Sequence, residues 1–459
     1  MYKIDFTKPV KVHFIGIGGI SMSGLAELLL SEGFKVSGSD RAPSELTEKL
    51  IEFGAEIFYG QRGDNIGEDV DIVVYTAAIR PDNPEYARAV ELGKPMLTRA
   101  QLLGQVMCNY KKAVAISGTH GKTTTTSMIT GILLNEGCDP TVSVGGMLDI
   151  IGGNFKIGSS DIFVTEACEY TNSFLDFYPT VGIILNIEED HLDFFKDIDD
   201  IRNSFSKFAG LIPSDGLLVI NADIDNYEEI TKDLKCKVVT VSCHKDADYT
   251  AEDISYNELG NPEFTAVLPD GRKIRIKLSV PGEHNIGNAL AAIAAAYSMN
   301  VSDSAVMNGL ADFKGTDRRF QKLGEVGGVT VIDDYAHHPT EIKATLEAAK
   351  RYPHKKLYLV FQPHTYSRTK SLFDDFANAL AKADTVILAD IYAARETDNL
   401  GVSSALLAKS INELGTEALY FSTFDEIENY LLQNCSTGDL LITMGAGDIV
   451  KVGKSILGQ

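Results

Sequence analysis

From Lys11 to about Asn109, short β-branched runs alternate with stretches of helical period: VHFIGIG, a helical stretch ending at Gly33, then KVSGSD, EIFYG and DIVVYTAA. This alternation predicts a Rossmann-like domain. A second unit opens at AVAISGTHGKTTTTSMITGILLNEG, read as a strand, a tight glycine loop and a helix stopped by Gly137, and continues through DIFVTEA and VGIILNI. Its sheet is expected to be largely parallel. Around PEFTAVLPDGRKIRIKLSVPG the period drops to two on either side of a Pro-Asp-Gly turn, which predicts an antiparallel hairpin and makes the central sheet mixed. An alanine-rich helix from about His284 to Met299 follows, apolar enough to be buried. After FKGTDRRFQKLG the pattern restarts as VTVIDD, LYLVFQ, TVILAD, ALYF and LLITMG, each leading into a helical stretch, which predicts a third, doubly wound domain. The expected division is 1–108, 109–322 and 323–459, three α/β domains in series.

The length of 459 residues agrees, because single cores stop growing at about 250–300 residues. Lys plus Arg number 42 against 64 Asp plus Glu, a net charge of -22 that repels nucleic acid and anionic membrane, so a phosphate ligand must be gripped locally. The six cysteines form no CxxC pair and no zinc-ligand spacing, which points to reduced thiols in a cytoplasmic protein. The chain shows neither a secretory leader nor a run of about 18 apolar residues, so neither export nor membrane insertion is expected.

Three groups of motifs carry candidate chemistry. The loop GIGGISMSG places Gly16, Gly18, Gly19, Ile20 and Ser21 between a strand and a helix N-terminus able to hold a diphosphate, with Asp40 ending the next strand. As an NAD fingerprint it is imperfect, since Ser21 stands where glycine or alanine belongs. The loop SGTHGKTTTT is sharper. Gly118 and Gly121 let the N–H groups of Gly118, Thr119, His120, Gly121 and Thr124 converge on phosphate oxygens, Lys122 adds a cation and the Thr123 hydroxyl can ligate magnesium. Ile116 occupies the position of the first Walker glycine, so this is a shortened phosphate loop. Glu166 and His191 follow apolar strands and could reach the same sheet edge, with Glu169, Asp190 and Asp193 as competing carboxylates. Asn285 and Asn288 lie three apart on a helix and either read an adenine edge or cap the helix. Arg318 and Arg319 sit at the hinge into the third domain, where DDYAHHPTE and FQPHTYSRT set His337, His338, His364 and Arg368 at strand ends. Arg368 could hold a small carboxylate by two parallel bonds.

With GIGGISMSGLA, SGTHGKTTT, NIEEDHLD, PGEHNIGNA, DDYAHHPTE and FQPHTYSRT in register over essentially the whole chain, the sequence resembles the Mur ligase family, and most closely the branch that attaches L-alanine to UDP-N-acetylmuramate. The resemblance implies an N-terminal domain that binds the UDP sugar rather than NAD, with Asp40 near the uridine and Arg99 on the diphosphate. It implies a central P-loop ATPase-type domain in which Gly118 to Thr124 bind ATP, Thr123, Glu166 and His191 position Mg2+, and Asn285 and Asn288 contact adenine. By the same resemblance Arg319 and Arg318 reach the γ-phosphate, Asp334 holds the ATP ribose, and His337, His364 and Arg368 form the alanine pocket. Cys168 departs from an aspartate found in many members, and neither Lys196 nor Lys207 matches the carbamylated lysine of related ligases.

The implied reaction runs through an acyl phosphate, giving ADP and phosphate, with UDP-N-acetylmuramate, L-alanine and ATP as partners of a monomer or homodimer and no nucleic acid. His337 or His364 would take the proton from the amine. A sister ligase that attaches a preformed peptide to the same sugar nucleotide, an NAD-dependent oxidoreductase and a non-catalytic ATP switch are the alternatives.

Overall fold

The computed structural model describes residues 2–394 and 396–459. Its first sheet is wholly parallel, in the spatial order Glu56–Tyr59, Lys35–Asp40, Lys11–Ile15, Ile72–Tyr75, Met96–Thr98. Four of the five residues of Lys11–Ile15 are buried, as expected of a strand covered on both faces. The chain reverses its direction of sheet building between Lys11–Ile15 and Ile72–Tyr75, so the crevice at their carboxyl ends is the switch point, and the glycine loop lies there.

The second sheet has ten strands, with Lys112–Ser117 between Val181–Ile184 and Ile162–Glu166, all parallel. The phosphate-loop helix Lys122–Asn135 buries an unbroken run from Thr125 to Leu133 and the alanine-rich helix His284–Tyr297 buries most of its residues, which explains why neither shows a polar stripe. The expected hairpin forms between Pro262–Val267 and Lys273–Lys277. It is extended by Tyr249–Tyr256 into a three-stranded antiparallel wing, and a second hairpin joins Thr141–Leu148 to Gly153–Lys156. Neither addition was anticipated.

The third sheet follows the order Gln321–Val326, Val329–Asp334, Leu440–Met444, Leu357–Phe361, Thr385–Leu388, Glu417–Tyr420. The first strand pairs antiparallel with the second through the left-handed Gly327–Gly328 turn, a strand that lies before the expected restart at VTVIDD. The division expected at 322/323 would cut that strand, and we propose that the third domain begins just before Gln321.

The first two domains share one apolar core, in which Leu103, Val106 and Met107 meet Phe163, Phe174 and Phe177. Two glycines let the surfaces close. A Cβ on Gly104 would stand 1.9 Å from the Asp176 carbonyl oxygen, and one on Gly24 would stand 2.5 Å from the Phe155 ring. The third domain has its own cores and meets the second domain largely through polar side chains. Among the described residues no helix is long and apolar enough to cross a membrane, and the six cysteines are free thiols.

Candidate active site

The N-terminal loop leaves Lys11–Ile15 with Gly16 in the left-handed region, and Gly16 and Ile17 donate their N–H groups to the Ser39 carbonyl. Gly19 caps the helix Ile20–Ser31 with no side-chain acceptor, so the first-turn donors are open to an anion and Ile20 is exposed. Asp40 is spoken for: Oδ2 accepts from Gly18 N at 2.8 Å and Oδ1 from Arg41 N at 2.7 Å, so it shapes the loop. Arg99 opens the helix Arg99–Met107 at the seam with the second domain, beside Cys168. It is half-buried, burial pulls its pKa down, and it has no hydrogen bond or ion pair among the described residues.

In the second loop Gly118 and Gly121 both take positive φ, and a Cβ on Gly121 would stand 2.6 Å from Asn288 Oδ1. Only glycine fits there. Asn288 donates to Asn285 Oδ1 at 3.0 Å and Asn285 donates to the Pro281 carbonyl at 2.7 Å, so the amides form a pair on the wall of a cavity of about 450 Å³. His120, Gly121, Thr123, Thr124, Arg319 and Asp334 line the same cavity.

Lys122 turns back over its loop, donating to the Gly118 carbonyl, to the Thr119 carbonyl at 3.1 Å and to Glu169 Oε2 at 3.0 Å. Burial is the largest influence and works against its charge, but Glu169 together with Cys168 and Glu166 outweighs it and raises the pKa. Glu166 instead accepts from Gly145 N at 2.6 Å, and no direct contact joins it to His191 among the described residues. The carboxylate shared by Lys122 and the metal-candidate histidine is therefore Glu169: its Oε1 lies 3.7 Å from His191 Nε2, is buried and accepts no hydrogen bond. A buried, orphaned carboxylate oxygen beside an imidazole, with Glu166 close enough to act on Lys122, suits a cation.

The two hinge arginines part company. Arg318, at φ 60°, donates to Asp333 Oδ2 and to the carbonyls of Gly445 and Gly447, so its guanidinium braces the third domain and does not line the nucleotide cavity. Arg319 does reach the cavity, with Glu341 Oε1 at 3.3 Å as counter-ion. Asp334 lines it too, but accepts from Phe320 N, Ala336 N and the Thr345 hydroxyl, and burial pushes its pKa up to about 6.

Glu341 is a meeting point that the sequence reading left unassigned, although it ends the motif DDYAHHPTE. It faces Arg319, His120 Nδ1 at 3.3 Å and His337, whose backbone N–H it accepts at 3.0 Å. Burial opposes a charged imidazole at His120, yet Glu341 and Glu188 lift its pKa to about 9. His120, Glu188 and His338 bring ligand atoms within 4.8 Å of one another. Both His338 nitrogens are already engaged, Nδ1 by Thr340 N and Nε2 by the Glu189 carbonyl, so this trio is a domain contact and not a vacant metal site.

His337, His364 and Arg368 do converge, with the two imidazoles 6.1 Å apart. The carbonyl of Tyr335 can only accept, so His337 carries its proton on Nδ1 and leaves Nε2 with a lone pair; burial above all pushes its pKa down to about 4. Arg368 donates from Nη1 to His364 Nδ1, which fixes the opposite tautomer, N–H on Nε2. Arg368 also grips Asp190 Oδ1 from Nε at 3.2 Å and Nη2 at 3.0 Å, across the domain boundary. Burial is outweighed by Arg368, and the Asp190 carboxyl is held well below the usual range.

A switch-point loop on the first sheet, and a shortened phosphate loop that shares a cavity with third-domain residues, define a nucleotide-dependent ligase of three domains. The chain belongs to the Mur ligase family: the family's catalytic domain matches residues 11–111, the Mur ligase middle domain 116–296 and the Mur ligase glutamate ligase domain 318–447. It is 60% identical to the UDP-N-acetylmuramate--L-alanine ligase of Lachnospira eligens and 56% identical to that of Agathobacter rectalis, each over 100% of both chains. The crystal structure of UDP-N-acetylmuramate-alanine ligase from Thermotoga maritima superimposes with a TM-score of 0.79 at 32% identity, covering 98% of each chain.

Proposed function

We propose that the chain joins L-alanine to the lactyl carboxylate of UDP-N-acetylmuramate at the expense of ATP, giving ADP, phosphate and UDP-N-acetylmuramoyl-L-alanine for peptidoglycan synthesis in the cytoplasm. The observation that carries this reading is the convergence of the phosphate loop (His120, Gly121, Thr123 and Thr124), Arg319 and Arg368, from three separate motifs, on adjoining cavities between the second and third domains. The full-length likeness to ligases of that name supports it.

The first domain receives the sugar nucleotide. The N–H groups of Ile20 and Ser21 meet the diphosphate, and Arg99, unpaired among the described residues, supplies a cation. The Thr119 and His120 N–H groups, expected to reach phosphate, are instead taken by Asn186, so the N–H groups from Gly121 to Thr124 cradle the ATP phosphates, and Lys122 exchanges its carbonyl partners for phosphate oxygens. Arg319 faces the transferring group. Thr123, Glu166, His191 and, by its position, Glu169 would hold Mg2+, which when bound offsets charge between the phosphates and the incoming carboxylate. The lactyl carboxylate attacks the γ-phosphorus, ADP departs and an acyl phosphate results. The alanine amine then attacks the acyl carbon and phosphate leaves. The ammonium must first lose a proton, and His337 Nε2 offers the lone pair, whereas His364 presents N–H to the cleft.

The test is phosphate release from ATP and Mg2+ with UDP-N-acetylmuramate, with and without L-alanine. Release should depend on alanine and fall by about 100-fold or more in Lys122→Ala. Release only with a preformed tripeptide would assign the chain to peptide recycling. A folded protein stimulated by neither acceptor would sink the ligase reading.

A further inference from the structure

The pocket beside Arg368 contains a second charge that no step above uses. It is a cleft of about 410 Å³ lined by His191, Leu192, His364, Arg368 and Asp190. Asp190 follows the strand Val181–Ile184 of the second domain, and Arg368 lies on the helix Tyr366–Ser371 of the third. Both side chains are about nine-tenths buried.

The pair is joined on one side only. Asp190 Oδ1 takes Arg368 Nε, Arg368 Nη2 and its own neighbour's backbone, His191 N at 2.7 Å. Asp190 Oδ2 accepts no hydrogen bond among the described residues, and the closest nitrogen recorded beside it is His191 Nε2 at 3.7 Å. On the arginine, Nη1 is committed to His364 by a single N–H, which leaves one N–H on each of Nη1 and Nη2 without a partner among the described residues. An open carboxylate oxygen and an open guanidinium edge thus stand side by side in one buried cavity.

We propose that Asp190 is the counter-ion of the substrate's ammonium group, so that Arg368 and Asp190 together bind an α-amino acid as a zwitterion. The proposal rests on the ligase reading. Burying either end of an amino acid without a partner is expensive, while adding a zwitterion to an existing ion pair keeps the pocket neutral and gives each charge an opposite one. Arg368 keeps its grip on Oδ1 and takes the substrate carboxylate on its free edge. Oδ2 takes the ammonium and orients the nitrogen before it is deprotonated.

The rival carboxylates are engaged or solvated. Glu396 accepts from the N–H groups of Tyr366 and Ser367, Asp193 accepts from Tyr170, and the Glu189 side chain is exposed. Asp190 is therefore a specificity residue, distinct in role from its neighbour His191.

The experiment compares wild type, Asp190→Asn and Glu189→Gln in alanine-dependent phosphate release, with propionate as a competing ligand that keeps the carboxylate and methyl group but lacks the amine. Losing a charge-assisted bond should raise the alanine KM of Asp190→Asn by about tenfold or more, with KM for ATP and the Mg2+ dependence within about twofold. Glu189→Gln should leave the alanine KM within the same margin. In wild type, alanine should bind at least about tenfold more tightly than propionate, and that gap should close in Asp190→Asn. An unchanged alanine KM, or a parallel shift in Mg2+ dependence, overturns the proposal. If Asp190→Asn does not fold, equal binding of alanine and propionate by wild type overturns it alone. Absence of amino-acid-dependent turnover in wild type is a separate outcome and strikes the ligase reading.

Discussion

Glu341 holds two groups that favour a positive charge, Arg319 and His120, in a buried setting, so removing its charge leaves both unbalanced. Glu341→Gln keeps the shape and should cost about 3 kcal/mol of stability, read by denaturant unfolding, together with turnover. A glutamine variant as stable and active as wild type would remove Glu341 from the centre of the site. His120 supplies the matching pH signature. Its folded pKa of about 9 lies above the ordinary 6.5, so its stabilising contribution is complete below pH 6.5 and is lost as pH rises through 9. His284 and His337, pushed down to about 4, act the other way and weaken the fold as pH falls below 6.5. The unfolding free energy of wild type relative to His120→Gln should therefore shrink by about 3 kcal/mol between pH 6.5 and 9.5. A constant difference across that range would refute the assignment. At this scale the sequence disclosed residue types better than partners. Lys122, Arg319 and Arg368 were legible because phosphate and carboxylate demand cations. Glu169 and Glu341 were not, because a carboxylate serving as a counter-ion has no spacing rule, and only the fold brings Glu169 between Lys122 and His191. Arg318 and Arg319 are adjacent in sequence, and only the left-handed backbone at Arg318 separates their fates.

Buried parallel strands and their helices were readable because an apolar run flanked by glycine has few other uses. Of the strands that escaped, Tyr249–Tyr256, Gln321–Val326 and Gly153–Lys156 are largely exposed or half-buried, with their place set by backbone pairing with a neighbour, while Thr141–Leu148, Leu217–Asn221 and Lys237–Ser242 also went unread, the second of them although it is buried. Glycines hid a second meaning. Gly24 looks like the last glycine of a phosphate-binding loop, yet what it permits is contact with Phe155 of the second domain. Gly104 does the same for the helix that begins with Arg99. Gly104→Ala drives a methyl into the Asp176 carbonyl, so that helix must shift, at a cost of about 1–3 kcal/mol. Because Arg99 rides on it, KM for the sugar nucleotide should rise while KM for ATP stays within about twofold. If both constants move together, the helix is not a separate lever on the first site.

The first and second domains share an apolar core, whereas the third is held to the second by polar contacts that include His120 with Glu341 and three on consecutive residues. Glu188 Oε2 accepts from the Thr340 hydroxyl at 2.6 Å, the Glu189 carbonyl from His338 Nε2 at 3.0 Å and Asp190 from Arg368 at 3.0 Å. Polar contacts of this kind contribute about 1 kcal/mol each, so they can be made and broken within a catalytic cycle, while the apolar seam cannot. The third domain is therefore expected to be the part that moves, about a hinge at Arg318 to Phe320. His338→Ala with Thr340→Val removes two of the three contacts and leaves Lys122, Arg319 and Arg368 untouched. Two lost bonds shift the open to closed ratio by about 10- to 30-fold. In small-angle scattering the ligand-free variant should show a larger radius of gyration than wild type, and ATP with the sugar nucleotide should draw the two together. Superimposable ligand-free curves would mean that the domains are held by something other than the segment from Glu188 to Asp190.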